Sequence, residues 1–235
     1  MSENPMEHLR EAYDAIRREI RDRAVKAERR PEDILLLGVT KTVDVPIMQA
    51  AFDMGITHFG ENRVQEFLRK SDILHRDCCW HIIGRLQTNK VKYLDQRIKL
   101  IHSVDRLELA QALEQRGKSI GYRFPVLIQV NVAGESTKAG VSPEDLKSLL
   151  ISLSKMGNIH VKGLMTIAPY TEDSEDVRYV FRALRKLSVD MMGERVENIN
   201  MDELSMGMSN DYPIAVEEGA TIVRIGSDLF GERVY

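Results

Sequence analysis

The chain has 235 residues, 43% of them hydrophobic and 29% charged, and its 33 basic and 36 acidic side chains give a net charge of −3. This length suits one large domain with a packed core, which sets disorder aside, and the near-balanced charge sets aside a basic nucleic-acid-binding surface. The first stretch, MSENPMEHLREAYDAIRREI, lacks an apolar signal core and no run is long enough to span a bilayer, so the expectation is a soluble cytoplasmic protein without a membrane partner.

Leu9, Ala12, Tyr13, Ile16 and Ile20 recur at helical spacing among charged residues and predict an amphipathic helix over about 6–29, ended by Pro31. Short apolar runs follow and predict strands at 34–40, 57–60, 80–84, 99–104, 126–132, 160–166, 203–206 and 221–226. Amphipathic stretches between them predict helices at 45–54, 62–70, 105–117, 143–156, 174–189 and 210–218. Strands apolar almost throughout, each followed by a helix, imply a parallel sheet covered on its outer side. Eight such units predict a (β/α)8 TIM barrel, with residues 1–235 as a single domain and the extra N-terminal helix against its outside. A doubly wound sheet is the alternative; it needs helices on both faces and usually fewer strands. Cys78 and Cys79 are adjacent, with no CxxC pair, and read as buried thiols in a reducing compartment with no metal site.

In a barrel of this kind ligand chemistry sits at the C-terminal ends of the strands. The run LLLGVTKTVDV, residues 35–45, puts the lone lysine Lys41 at the first of those ends. GEN (60–62), GRLQTNK (84–90), SVDR (103–106), NVAGESTKAG (131–140), MTIAPY (165–170), SMGMSND (205–211) and RIGSDLFG (224–231) fall at the others. Glycines, hydroxyls and amides thus crowd onto one rim, which favours a ligand site over scattered turns. SMGMSND offers Gly207 and Ser209 before a helix, with Ser209 as its expected N-cap, and RIGSDLFG offers Gly226 and Ser227 after the last strand. Glycine lets backbone N–H groups approach a phosphate, and in barrels that site commonly follows strands seven and eight. A barrel's low-dielectric interior favours the free amine of Lys41, able to attack a carbonyl. Together these predict an aldehyde-bearing phosphate cofactor such as pyridoxal phosphate. Arg224 could then point at its pyridine ring; an ion pair inside the barrel is the alternative. His81 and His102, within strands, read as core residues. Met165, Met206 and Met208 read as packing residues, with Met165 at a strand end also placed among the cofactor contacts.

GVTKT (38–42), FGENRVQE (59–66), WHIIGRLQTNK (80–90), GLMT (163–166), LSMGMSND (204–211) and VRIGSDLFG (223–231) together resemble the pyridoxal phosphate homeostasis proteins, in order and over nearly the whole chain. The resemblance implies a fold similar to the N-terminal barrel of bacterial alanine racemase, of the fold-type III class. It implies pyridoxal 5′-phosphate held as an aldimine on Lys41, with cofactor contacts from Asn62, phosphate contacts from Ser209, Gly226 and Ser227, and a ring-nitrogen contact from Arg224. It also implies a non-enzymatic carrier that buffers the cofactor and delivers it to pyridoxal phosphate-dependent apoenzymes; a monomer without nucleic-acid partners is expected. Two positions depart from the family pattern. Ser227 stands where threonine is frequent, and Asp228 stands where a small residue is frequent and is expected to face away from the phosphate.

A guanidinium only donates hydrogen bonds, so a ring nitrogen beside Arg224 accepts and stays unprotonated, making the cofactor a weaker electron sink. An amino-acid racemase is the enzymatic alternative. It needs acid–base groups on both faces of the cofactor, and in alanine racemase the second is a tyrosine supplied across the dimer by an additional β-domain. The sequence ends at Tyr235 and is expected to have no room for such a domain, which leaves Tyr170 as the candidate second base. A Schiff-base aldolase is a third reading, disfavoured by the full motif set.

Overall fold

The computed structural model describes residues 5–135, 138–194 and 196–231. Ser136 and Thr137 of the NVAGESTKAG rim segment, and Tyr235, lie outside the described residues. Eight strands close a parallel barrel in sequence order: β1 (Leu35–Val39), β2 (His58–Glu61), β3 (Cys79–Ile82), β4 (Ile98–Val104), β5 (Phe124–Gln129), β6 (Ile159–Met165), β7 (Ile199–Met208) and β8 (Ile222–Ile225). The circle is completed by β1 against β8, with Leu35 opposite Ile222 and Gly38 opposite Ile225. The expected eight-stranded barrel is therefore the observed one.

The predicted strand 203–206 is the short end of the much longer β7. Its first half alternates, with Met201 buried between exposed Asn200 and Asp202, so it lacks the continuous apolar run that marks the other strands. The predicted helix 174–189 is a 3-10 turn, Ser174–Val177, opened by the Asp173 carboxylate accepting from the Glu175 N–H, followed by a helix over Arg178–Gly193.

Alternating strand residues face two different cores. Leu37, Val39, Ile83, Leu100, Leu127, Met165 and Ile222 fill the barrel's inside. Their neighbours, such as Phe59, Trp80 and Ile101, pack outward against the helices α2 (Val45–Asp53), α3 (Val64–Ser71), α4 (Leu107–Ile120), α5 (Pro143–Leu153) and α6 (Arg178–Gly193). The leading helix α1 (Pro5–Lys26) lies on the outside, over α7 (Tyr212–Glu217) and α8 (Ser227–Phe230). Its apolar stripe, Leu9, Ile16, Ile20 and Ala24, is buried there. Arg29, just beyond it, donates to the carbonyls of Val216 and Ala220. Among the described residues no helix is long and apolar enough to cross a membrane.

Candidate functional site

The ladder ends after β1 at a tight turn. The Thr40 carbonyl accepts from the Val43 N–H at 2.9 Å and from the Lys70 ammonium at 2.7 Å, so the residue before Lys41 is tied to both the turn and the helix layer. Thr42 has a φ of 67°, a left-handed conformation that costs a β-branched residue about 1–2 kcal/mol, and its hydroxyl donates to the Lys41 carbonyl. Lys41 itself is half-buried and lines a cavity of about 760 Å3 at the C-terminal mouth of the barrel.

Below the turn, Glu61 is fully buried. One of its oxygens accepts from the Thr40 hydroxyl at 2.6 Å and from Lys70 at 2.9 Å, and burial raises its pKa. Asn62 follows it onto the cavity wall. Gly84 makes that placement possible: a Cβ there would lie 2.4 Å from the Asn62 carbonyl oxygen, closer than any side chain allows.

Ser209 and Ser227 also line the cavity, and their hydroxyls are 3.2 Å apart. The sequence places Ser209 as the N-cap of α7, but Asp211 holds that position, and its carboxylate accepts from the Met208 N–H instead. The Ser209 hydroxyl turns to the end of β8, accepting from Ser227 and from the Asp228 N–H at 3.4 Å. Gly226 completes this wall, whereas Gly207 does not reach it. At Gly207 the φ is 89° and a Cβ would lie 2.6 Å from the Ala215 Cβ; the glycine lets α7 pack closely under the loop. Asp228 is exposed and outside the wall.

Arg224 is 4% exposed and lines the same cavity from β8. Its guanidinium donates to the Ser205 hydroxyl at 2.7 Å and the Thr166 carbonyl at 2.9 Å, both neutral acceptors. The ion pair open to it on sequence grounds is thus replaced by polar contacts. Burial pulls its pKa down to about 10, against the opposing pull of Asp211. Beyond Ser205 lies a row that joins His102 and His81, which the sequence reads as core, to His58: His102 Nδ1 is 2.8 Å from the Ser205 hydroxyl, His81 Nδ1 is 2.9 Å from His102 Nε2, and His58 Nδ1 is 2.9 Å from His81 Nε2. Burial holds His102 well below the ordinary histidine range and His81 down at about 3, so both are neutral.

Met165 lines the cavity as the interior core continues into its floor. Arg85, Gln129, Lys138 and Asn210 line it as well, unassigned by sequence although three of them lie in rim segments. The Gln129 amide donates to the Ala139 carbonyl and so holds the loop that carries Lys138. Asn210 ties its loop to the Thr171 carbonyl after β6. Tyr170 is 81% exposed and outside the wall. Cys78 and Cys79 are free thiols, and burial pushes Cys78 up to about 11. Among the described residues no cluster of three or more metal-ligating side chains occurs.

Residues 12–234 match the family described as alanine racemase, N-terminal domain. The pyridoxal phosphate homeostasis protein of Aquifex aeolicus (strain VF5) is 52% identical over 201 residues, 85% of this chain and 87% of the relative. The structure of PipY from Synechococcus elongatus PCC7942, solved with PLP bound, superposes with a TM-score of 0.78 at 34% identity, covering 90% of this chain and all of that one. Alanine racemase of Clostridium difficile 630 shares the fold, with a TM-score of 0.74 at 18% identity, covering 97% of this chain and 58% of its own. The closed barrel, the motifs at its mouth and these likenesses over most of the chain agree: the protein belongs to the pyridoxal phosphate homeostasis protein family.

Proposed function

We propose that this chain binds pyridoxal 5′-phosphate in the barrel mouth and serves as an intracellular carrier and buffer of it. The observation that carries this reading is the convergence of an amine, a buried guanidinium and a pair of hydroxyls, from Lys41, Arg224, Ser209 and Ser227, on one cavity of about 760 Å3. The donor set fits the ligand group by group. Lys41 is the amine that would hold the cofactor through its aldehyde. The two hydroxyls, with Gly226 and the Asp228 N–H beside them, are donors suited to a phosphate. Asn62 and Met165 line the same cavity and would contact the cofactor there, and Gly207 acts indirectly by seating α7.

When bound, the cofactor supplies an electrophilic carbonyl and an electron-withdrawing ring. Arg224 would limit the second property, because its N–H groups only donate and a ring nitrogen beside them would have to accept. Racemisation further needs a group on each face of an α-carbon, and among the described residues no tyrosine lines the cavity. The carrier reading therefore extends to one domain over residues 1–235, a monomer in the cytoplasm that passes the cofactor to dependent apoenzymes without turning over amino acids. Two free thiols suit that compartment.

Titration with pyridoxal phosphate, followed by its visible absorbance, tests the binding. Incubation of loaded protein with L-alanine and other amino acids in deuterated water tests the carrier role. The expected result is saturable binding and α-hydrogen exchange no faster than free cofactor gives. Catalytic α-deuteration or chiral inversion that disappears in Lys41→Ala would establish the racemase instead.

A further inference from the structure

The cavity mouth and the opposite end of the barrel are joined by one continuous hydrogen-bonded row. It runs from Arg224 through Ser205, His102 and His81 to His58, with every step between 2.7 and 2.9 Å. Its polarity follows from what each group is able to do. The guanidinium can only donate, so the Ser205 oxygen accepts from it, and the single Ser205 proton goes to His102 Nδ1. His102 is neutral, so its one proton sits on Nε2 and goes to His81 Nδ1. By the same logic His81 donates from Nε2 to His58 Nδ1, and His58 carries its proton on Nε2. The other orientation would point His102 Nδ1–H and the Arg224 N–H at the same oxygen and leave the Ser205 proton without an acceptor in the row.

We propose that Ser205, His102, His81 and His58 form a directional relay that positions Arg224 for its ligand and carries the charge state of the far barrel end to it. The proposal rests on the reading of Arg224 as the ring-nitrogen donor. His58 is the half-buried end of the row and lines a second cavity, of about 350 Å3, between the strands' N-terminal ends and α1. The charged and titratable groups around that end are Tyr13 and Arg17 of α1, Glu32 and Asp33 of the turn before β1, Cys79 and His81 of β3, Lys99 of β4 and Glu203 of β7. Glu203 accepts from the Thr221 hydroxyl, which holds it in place. Burial and the charge of Lys99 keep His58 neutral at pH 7, with its pKa below the ordinary 6.5.

Protonating His58 puts a second N–H at Nδ1, where the neutral row needs an acceptor. His81 must then accept at Nε2 and carry its proton on Nδ1, and His102 must do the same. The Ser205 oxygen then receives two donors, and its hold on Arg224 changes. His81 and His102 each gain one proton position and lose the other, Ser205 keeps its proton but turns it out of the row, and the only net addition is the proton taken up by His58.

Nitrogen-15 spectra of the histidine side chains in cofactor-free protein test the relay without reference to binding. The expected result at pH 8 is the Nε2–H tautomer at both His81 and His102, inverting to Nδ1–H with the same midpoint as His58 on acidification. An Nδ1–H tautomer at pH 8, or tautomers that stay fixed while His58 titrates, would overturn it. In loaded protein the visible band should shift with that midpoint, and His58→Phe should abolish the transition. Ser205→Ala should weaken pyridoxal phosphate binding roughly tenfold, the effect of one hydrogen bond to a charged group. If Ser205→Ala fails to fold, His58→Phe at the half-buried end still decides, because an unchanged acid transition there removes the relay. If the parent protein binds no pyridoxal phosphate, the functional reading fails while the tautomer spectra still judge the relay.

Discussion

The ammonium of Lys70 donates to the carbonyl of Thr40 at 2.7 Å and to the carboxylate of Glu61 at 2.9 Å, all three groups being buried behind the turn that presents Lys41. Removing one partner of a buried ion pair strands the other charge, at a cost of about 3–5 kcal/mol. Lys70→Met is therefore expected to lower the urea midpoint by that equivalent. Adding Glu61→Gln should recover much of the loss, since the stranded carboxylate is then gone. A single variant as stable as the parent would show that the pair does not hold the turn.

Lys41 is expected to be the residue that carries the cofactor. Borohydride reduction of loaded protein, followed by peptide mapping, should find the added mass on Lys41. Lys138 lines the same cavity and is the informative control. Label on Lys138 with Lys41 unmodified would move the attachment across the site.

Ser209 and Ser227 come from different loops yet meet at 3.2 Å. Hydrogen bonds to a charged phosphate are worth about 1.5–3 kcal/mol each, so alanine at either position should weaken binding roughly ten- to a hundredfold. Backbone donors remain, and measurable affinity should persist. Equilibrium titration showing both variants as tight as the parent would place the phosphate elsewhere.

Glu217 gives the pH dependence of stability a definite window. Burial opposes its ionisation, but hydrogen bonds from Arg23, Lys26 and Arg178 outweigh it and hold the carboxyl down at about 2, against 4.5 ordinarily. Because the folded value is depressed, the stabilisation is complete above pH 4.5 and is lost as the pH falls toward 2. With Lys26 largely exposed and screened, the contribution is about 1–2 kcal/mol. Glu217→Gln should lower thermal stability at pH 7 and flatten the profile in that window. Parallel parent and variant profiles between pH 5 and pH 2 would count against it.

Continuous apolar runs such as LLLGV in β1 made the barrel legible in the sequence, and its C-terminal ends then collected Lys41, Asn62, Ser209, Arg224 and Ser227 onto one wall. What stayed hidden depends on register across strands. His58, His81 and His102 lie 21 to 23 residues apart; the sequence reads His81 and His102 as core residues and singles out nothing at His58. Only the pairing of β2, β3 and β4, with its irregularity between Trp80 and His81, sets their rings in one row. The role of Gly207 was hidden for a similar reason, since its neighbour Ala215 is brought close by α7 rather than by sequence.

The seating of α1 on α7 and α8 has a consequence during synthesis. Arg29 reaches acceptors 187 and 191 residues further along the chain, and Arg23 a carboxylate 194 residues away. At ribosomal rates of roughly 5–20 residues per second, these partners emerge about 10–40 s after the helix does. Throughout that interval Leu9, Ile16, Ile20 and Ala24 lack the α7 and α8 surface on which the helix is seated, and β1 has no β8 to pair with. The nascent barrel therefore waits as an open, sticky-edged sheet with a partly uncovered amphipathic helix, and chaperone contact during translation should concentrate on that leading segment.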